Sequence, residues 1–390
     1  MKIAMIGQKG IPSRAGGIEI HVDEISKRLV CLGCQVEVYC RKEYCDRKYD
    51  NGSYEGIKLK YTPYINSKHL DAITHTFTST ISALLSDCEI FHYHALGPSA
   101  LAFIPRLFGK KVVCTVHGLD WQRKKWGKFA AAFLKFGEYA TARFANKTIS
   151  VSKNLIGYYR EKYGVEPTYI PNGVERPDLL RAQLIKEKYD LDNEDYILFL
   201  ARLVPEKGAH YLIEAFNRIK TDKKLVIAGG SSHSSSYLLE LKKQAAQNKN
   251  IIFTGFVRDQ ELAELYSNAY FYVLPSDIEG LPISLLEAMS YGNCCLVSDI
   301  PENTNVIGTI GYSFSKSDVE DLSQKITTLL NDRDKVLRVK ALAGRYILNK
   351  YNWDRVAVET KNVYKSVLKS NSKKNQSRRL GNEGKTHNLN

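Results

Sequence analysis

Apolar residues along this chain come in short blocks, separated by polar stretches of helical length. Lys2 to Ile6 is the first block, and a polar, glycine-rich segment follows from Gly7 to Gly17. Val22, Ile25 and Leu29 then fall near helical spacing, which predicts an amphipathic helix over roughly 18–32. Gln35 to Cys40 alternates into a second strand. Strand, glycine loop, helix and strand in that order make a βαβ unit. The same reading predicts strands over 57–61, 89–94, 111–116 and 147–151, and a helix over 99–108.

Pro171-Asn172-Gly173-Val174 interrupts this regularity, because Pro and Gly together mark a turn, and a domain boundary is expected close by. A second series follows, with strands over 196–200, 224–228, 251–254, 271–274 and 294–297 and helical segments such as 238–247 and 262–267 between them. Strands alternating with helices imply parallel sheets, and two such series imply two doubly wound α/β domains. Ligands in such folds bind beyond the carboxyl ends of the strands, so a cleft between two facing sheets is the expected site. The expected organisation is a Rossmann-like domain over 1–173, a second over 174–350, a C-terminal helix over 351–369 and a basic disordered tail over 370–390.

Composition says less about the fold than about partners. The 390 residues are 44% apolar and 25% charged, which are globular proportions. A formal net charge of +14 points to something anionic: nucleic acid, anionic lipid or a phosphate-bearing substrate. No apolar run reaches the about 18 residues of a membrane span. The start of the chain turns polar too soon for a signal peptide, so a cytoplasmic location is expected. The eight cysteines lie mostly in apolar runs. Cys31 and Cys34 have metal-ligand spacing, but no second Cys or His pair follows at a useful distance. Buried reduced thiols and no metal are therefore expected.

Four segments carry candidate chemistry. In the first, Glu279 lies in the loop after the buried run 271–274, and Pro282 suits the first turn of a helix beginning near Leu281. The backbone amides of Gly280 and Leu281 would then be free for an anion. Glu287, further along that helix, could take two hydrogen bonds from a vicinal diol. Alone, the segment fits a capped surface helix equally well. In the second, Arg202 and Lys207 follow the run 196–200 and could face a diphosphate, Arg as a fork and Lys as a compact charge. A loop charge pair involving Glu206 is the plainer alternative. In the third, paired Gly16 and Gly17 at a helix start permit close approach of a phosphate or sugar. They match neither a dinucleotide fingerprint nor a P-loop. In the fourth, His117 ends a buried strand, where it serves either structure or a hydrogen bond to a sugar hydroxyl.

Together, Arg202-x4-Lys207-Gly208, Glu279-x7-Glu287, Gly16-Gly17 and His117 resemble glycosyltransferase family 4 of the GT-B fold. The resemblance spans about Lys2 to Lys369. Lys9-Gly10-Ile11-Pro12, Gly16-Gly17-Ile18-Glu19 and His117-Gly118-Leu119-Asp120-Trp121 further resemble a bacterial subgroup that includes rhamnosyltransferases of surface-polysaccharide assembly. The resemblance implies an acceptor-side first domain, a nucleotide-sugar-binding second domain, and a C-terminal helix that packs back on the first. It implies that Arg202 and Lys207 hold the donor diphosphate and that Glu287 binds the ribose. Glu279, with Gly280 and Leu281, would contact the donor sugar. His117 would sit beside the transferred sugar, Gly16 and Gly17 over the donor, and Val257 by the base. It also implies retention of anomeric configuration without a metal or other cofactor, and a glycan or polyprenyl-diphosphate-linked acceptor.

The segment 121–136 mixes Trp121, Arg123, Lys124, Lys125, Trp126, Lys128, Phe129 and Lys135, which suits a helix lying on anionic lipid or a core helix with a basic edge. A peripheral location at the inner face of the cell membrane follows from the first. From Lys365 onward, seven Lys or Arg against one Glu add to the positive charge. A nucleic-acid-binding protein is the rival reading from charge, but the chain shows no recognisable reading element, so nucleic acid is not an expected partner. A GT-B phosphorylase or a sugar epimerase shares the architecture, and fold alone does not separate them.

Overall fold

The computed structural model describes residues 1–13, 16–67, 70–123, 126–230 and 235–383, without the side chains of residues 47, 235 and 370–383. It divides into two compact units, Met1–Pro171 with Asp354–Asn390, and Asn172–Trp353.

The strands of unit 1 are β1 (Lys2–Ile6), β2 (Gln35–Cys40), β3 (Ser53–Tyr54), β4 (Ile57–Tyr61), β5 (Ile90–His94), β6 (Lys111–Val116), β7 (Lys147–Ser150) and β8 (Thr168–Tyr169). They form one sheet in the order β3-β4-β2-β1-β5-β6-β7-β8, parallel except for the β3–β4 hairpin. β5 and β6 are buried along their whole length, as central parallel strands covered on both faces must be. Its helices are α1 (Gly17–Cys31), α2 (Asp71–Leu84), α3 (Leu96–Ser99), α4 (Phe103–Leu107), α5 (Lys128–Phe144) and α6 (Lys153–Tyr163). The β1–β2 crossover runs one way along the sheet, and the crossovers from β4 through β7 run the other way. Right-handed connection therefore puts α1 on one face and α2 to α5 on the other.

Unit 2 has strands β9 (Tyr196–Leu200), β10 (Lys224–Ala228), β11 (Ile251–Gly255), β12 (Phe271–Leu274), β13 (Cys295–Ser298) and β14 (Tyr312–Phe314), all parallel in the order β11-β10-β9-β12-β13-β14. Its helices are α7 (Leu184–Tyr189), α8 (Ala209–Asn217), α9 (Ser235–Ala245), α10 (Asp259–Ser267), α11 (Ile283–Ser290), α12 (Pro301–Ile307), α13 (Val319–Asn331) and α14 (Arg333–Lys350).

The final helix, α15 (Trp353–Glu383), returns to unit 1. Arg28 of α1 pairs with Asp354 at 2.8 Å, Lys361 donates to the Leu32 carbonyl at 2.5 Å, and the buried Tyr364 hydroxyl meets His92 Nδ1 at 2.7 Å. The back-packing expected of the C-terminal helix is thus present. The side chains of the expected tail, 370–390, lie outside the described residues.

One expected element is corrected. The single helix over 99–108 is instead two short pieces, α3 and α4. Pro105 lacks the amide that a continuous helix would bond to Leu101, and the stretch before it is tied by tight i+3 bonds such as Leu101 N to Pro98 O and Ala102 N to Ser99 O. The eight cysteines are all free, and six are buried as expected, whereas Cys31 is exposed and Cys45 half-buried.

Helix α5 packs so closely on α3 that a Cβ at Gly137 would lie 1.9 Å from the Leu96 carbonyl oxygen, so only glycine fits there. The next residue, Glu138, is fully buried. It accepts from Trp121 Nε1 at 2.6 Å, Tyr158 at 2.8 Å, Lys162 at 2.7 Å and Tyr163 at 2.6 Å. Burial opposes the carboxylate's charge, but these donors, led by Lys162, outweigh it and hold the carboxyl below its usual range. Trp121 is therefore tied inward, and Trp126 packs beside it on the cluster of Leu96, Val116 and Leu134. The stretch 121–136 is thus partly core, and Lys124 and Lys125 lie outside the described residues. Among the described residues, no helix is long and apolar enough to cross a membrane.

Candidate active site

Each unit gathers its candidate residues at the carboxyl ends of its strands, and each is described by itself. In unit 2, β9 runs into the turn Pro205–Lys207, which ends at Gly208 with φ of 72°. A Cβ at Gly208 would stand 2.0 Å from the Pro275 carbonyl oxygen, so glycine lets this turn press against the loop after β12. Asp277 N donates to Glu206 O at 2.9 Å and ties the two loops together. Across that seam Lys207 Nζ meets Glu279 Oε1 at 2.5 Å, with side-chain exposures of only 14% and 7%. The buried Ser276 hydroxyl donates to the same oxygen at 2.7 Å. Lys207 thus pairs with Glu279 across the two loops. Arg202 is half-buried on the same loop.

Helix α11 begins at Ile283, with Pro282 as its cap and the Pro282 carbonyl accepting from Leu285 N and Leu286 N. This corrects the expected start near Leu281. Proline takes the capping position because its ψ of 106° is extended, so the amides opening the helix are those of Ile283 and Ser284. Gly280 and Leu281 belong to the preceding loop, where Asn172, itself buried, donates to the Leu281 carbonyl at 3.1 Å. Glu287 is half-buried, and its Oε2 accepts from the Tyr266 hydroxyl at 3.3 Å, which orients it from α10. Val257 is 6% exposed and part of the unit 2 core, whereas its neighbour Phe256 is 57% exposed. Among the expected residues of this unit, the structure joins Lys207 to Glu279 directly and leaves Val257 inside the core.

In unit 1, Gly16 caps α1 with extended backbone, and Lys9 N donates to Glu19 Oε1 at 3.1 Å, tying the loop back to the first turn. Arg14 and Ala15 of that loop lie outside the described residues. His117 follows β6 and faces His94 at the end of β5, with His117 Nε2 and His94 Nδ1 3.3 Å apart. His21 of α1 packs edge-on to both rings. His92, one strand step behind His94, bridges Tyr364 and Thr115 at 2.7 Å each. Sequence reasoning singled out His117 and missed the other three. The signal was His92-Tyr93-His94, since strand period two places both imidazoles on one face of the sheet.

Burial, then the neighbouring imidazoles, pushes His94, His92 and His117 well below the usual histidine range. These rings are neutral at pH 7 and act as hydrogen-bonding dipoles rather than cations. His21, His94 and His117 also bring ligand atoms within 4.8 Å of one another. An all-imidazole set of this kind suits zinc-type ions, not the oxygen-seeking magnesium that a diphosphate recruits.

The buried histidines make a pH dependence. His75 of α2 is held down at about 4 by burial and then by Arg41. The unfolded chain takes up these protons near pH 6.5, while the folded protein refuses them until lower pH. Stability is therefore full above about pH 6.5 and is lost as pH falls below it. His75 alone costs about 2 kcal/mol by pH 5. The depressed carboxylates, such as Glu138, act only below about pH 4.5. Thermal melts at pH 7.5 and pH 5 should show a clear drop, and equal midpoints would refute it.

Comparison with known proteins bears on both units. Residues 15–176 match the model of Glycosyltransferase Family 4, and residues 182–344 match that of Glycosyl transferases group 1. An uncharacterized glycosyltransferase of Methanocaldococcus jannaschii is 27% identical over 402 residues, covering 94% of this chain and 99% of its own. A GDP-mannose-dependent alpha-(1-6)-phosphatidylinositol monomannoside mannosyltransferase of Mycobacterium tuberculosis is 27% identical over 391 residues, covering 92% of this chain and 97% of its own. Among solved structures, sucrose-phosphate synthase from Thermosynechococcus elongatus superposes with a TM-score of 0.81 at 19% identity, over 95% of this chain and 99% of that one. The two matched regions take in nearly all of both sheets, so the chain is built of two glycosyltransferase halves, the first matching family 4 and the second group 1, on a GT-B fold.

Proposed function

We propose that the protein transfers a hexose, rhamnose being one candidate, from a nucleoside-diphosphate donor to a lipid-linked glycan acceptor in bacterial surface-polysaccharide assembly. The observation that carries this is the Lys207–Glu279 pair at the carboxyl ends of β9 and β12, with Glu287 on the helix that follows. In unit 2, Arg202 and Lys207 take the diphosphate, and Glu287 takes the ribose diol. Glu279 takes a sugar hydroxyl, helped by the backbone of the Gly280–Leu281 loop and the amides that open α11. Lys207 is held ready by Glu279 and exchanges that carboxylate for the phosphate when donor arrives. Phe256, exposed beside the buried Val257, is the side chain there that can stack on a base. In unit 1, neutral His117 donates to a hydroxyl of the transferred sugar, and Gly16 and Gly17 leave room for the donor at the start of α1.

The reaction retains configuration and needs no metal, because two cations supply the leaving-group stabilisation that a divalent ion supplies elsewhere. The acceptor oxygen bonds to the anomeric carbon on the face the diphosphate leaves. The bond from that carbon to the diphosphate breaks, and the acceptor proton passes to the departing phosphate oxygen. A covalent glycosyl-enzyme found by mass spectrometry would exclude this course. The mannosyltransferase relative, whose name specifies GDP-mannose as donor and phosphatidylinositol monomannoside as acceptor, supports a lipid-borne acceptor, and a peripheral place at the inner face of the membrane belongs to the same proposal.

A thermal-shift panel of dTDP-, UDP- and GDP-sugars tests the donor. The true donor at about 100 times its Kd should add about 2.7 kcal/mol of stability. Release of nucleoside diphosphate that depends on acceptor distinguishes transfer from phosphorolysis or epimerisation. A panel in which no nucleotide sugar shifts the melt would overturn the reading.

A further inference from the structure

Helix α2 is inside out. Its buried positions are His75, Thr76, Ser79, Thr80 and Ala83. Its apolar residues Ile73, Phe77 and Ile81, continued by Leu70 and Leu85 at the ends, run at helical spacing along the opposite side. Phe77 is 50% exposed and Leu85 87%. A helix on a water-facing surface normally shows the reverse. The polar side is seated inward by its own bonds: Thr76 and Thr80 bond carbonyls of the preceding turn, Thr80 meets Tyr93, and Ser79 meets Thr62. The apolar stripe therefore faces outward by construction.

The neighbouring helices of the same layer continue the pattern. At the end of α4, Leu107 and Phe108 are exposed, and α5 exposes Phe129, Phe136 and Tyr139. Over 72–86, 103–110 and 128–144 the exposed or partly exposed charges are Arg106, Lys110, Lys128, Lys135 and Arg143, while Glu138, the one acid in these stretches, is buried. Asp87 and Glu89, just beyond α2, are engaged by Lys2 and the amino terminus. An apolar groove of about 550 Å³ extends the stripe, lined by Pro63, Tyr64, Ile65, Ile73, Phe77 and Leu101.

We propose that the face formed by α2, α4 and α5 seats on an anionic lipid bilayer. The α2 stripe enters the headgroup–acyl boundary, the cations of α4 and α5 meet lipid phosphates, and the groove admits one apolar chain from the bilayer. Charge decides for lipid over a protein partner: exposed aromatics interleaved with cations, with the flanking acids Asp71, Asp87 and Glu89 each paired to a cation, match an interfacial surface. The inference deepens the lipid-linked acceptor reading and rests on it for its purpose, while the face itself is read from unit 1 alone.

The test is sedimentation of the full chain with vesicles of phosphatidylcholine, alone or mixed with phosphatidylglycerol, without nucleotide or acceptor. Binding to the mixed vesicles is expected at low salt. Phe77→Ser with Ile81→Ser should weaken it about tenfold or more. Lys135→Gln and Arg143→Gln should weaken it about fivefold per charge, on anionic vesicles only. All four positions are exposed, so the melting midpoint should stay put, which separates lost docking from misfolding. Failure of the wild type to sediment with anionic vesicles would overturn the proposal. So would a dimer in light scattering that Phe77→Ser abolishes, since the face would then be a subunit interface. Either result leaves the donor reading to its own thermal-shift test.

Discussion

Lys207→Ala is expected to lower kcat for sugar transfer about 10²–10³-fold, the cost of losing one positioned donor to charge that develops in the transition state. The reason is geometric. Lys207 is carried on a turn pinned by Gly208 against Pro275, and its ammonium is held at Glu279 with little freedom to wander. A charge carried on so fixed a turn needs only to pass from the carboxylate to the phosphate when donor binds, and is then in place as the diphosphate departs. The same substitution strips Glu279 of its cation and leaves only Ser276 on that oxygen, so some stability is lost too. Glu279→Gln keeps the hydrogen bond from Ser276 and separates the two effects. If the pair is merely structural, both variants will shift the melt and keep kcat per folded molecule. If Lys207 serves the diphosphate, Lys207→Ala loses kcat even where the protein is fully folded, and the thermal shift caused by nucleoside diphosphate shrinks.

The largest stability effect is expected at Glu138. Glu138→Ala removes the acceptor shared by Trp121, Tyr158, Lys162 and Tyr163. Breaking one side of a buried charge pair costs about 3–5 kcal/mol, and in a domain of this size that is a fall of roughly 10 °C in melting midpoint. Lys162 is partly exposed and can turn to water, which favours the lower end. Glu138→Gln keeps an acceptor but drops the charge, so its loss should be smaller. Urea unfolding followed by tryptophan fluorescence reads both, since Trp121 sits on the carboxylate. A loss below about 1 kcal/mol, the worth of an ordinary surface pair, would show that the cluster is not acting as a buried unit. Because Glu138 takes no part in the proposed chemistry, the folded fraction should bind donor nucleotide as before.

Much of the architecture was legible before the structure. Apolar blocks of strand length alternating with helical stretches dictate parallel α/β units, because strands buried on both faces carry little else. The Pro171-Asn172-Gly173 break lies where the chain passes from one unit to the other. The loops of Lys207, Glu279 and His117 were also placeable, since each follows a recognisable buried strand. What escaped has a physical reason in each case. Helix α2 was passed over although Ile73, Phe77 and Ile81 stand at helical spacing, and no periodicity could say that this stripe faces outward while Thr, Ser and His face in. Helix 99–108 was drawn whole because periodicity does not register that Pro105 removes an amide a continuous helix needs.

The sequence by itself determined that there are two Rossmann-like halves, which loops hold the chemistry, and which residue types those loops offer, because all of these follow from local periodicity and backbone preference. Only the tertiary structure decided which residues meet. Lys207 finds Glu279 across 72 positions, His117 finds His94 and His21 from three separate elements, and Glu138 gathers donors from a loop and a neighbouring helix. Those partnerships depend on how far a chain travels before the sheet returns it, and no local pattern carries that distance.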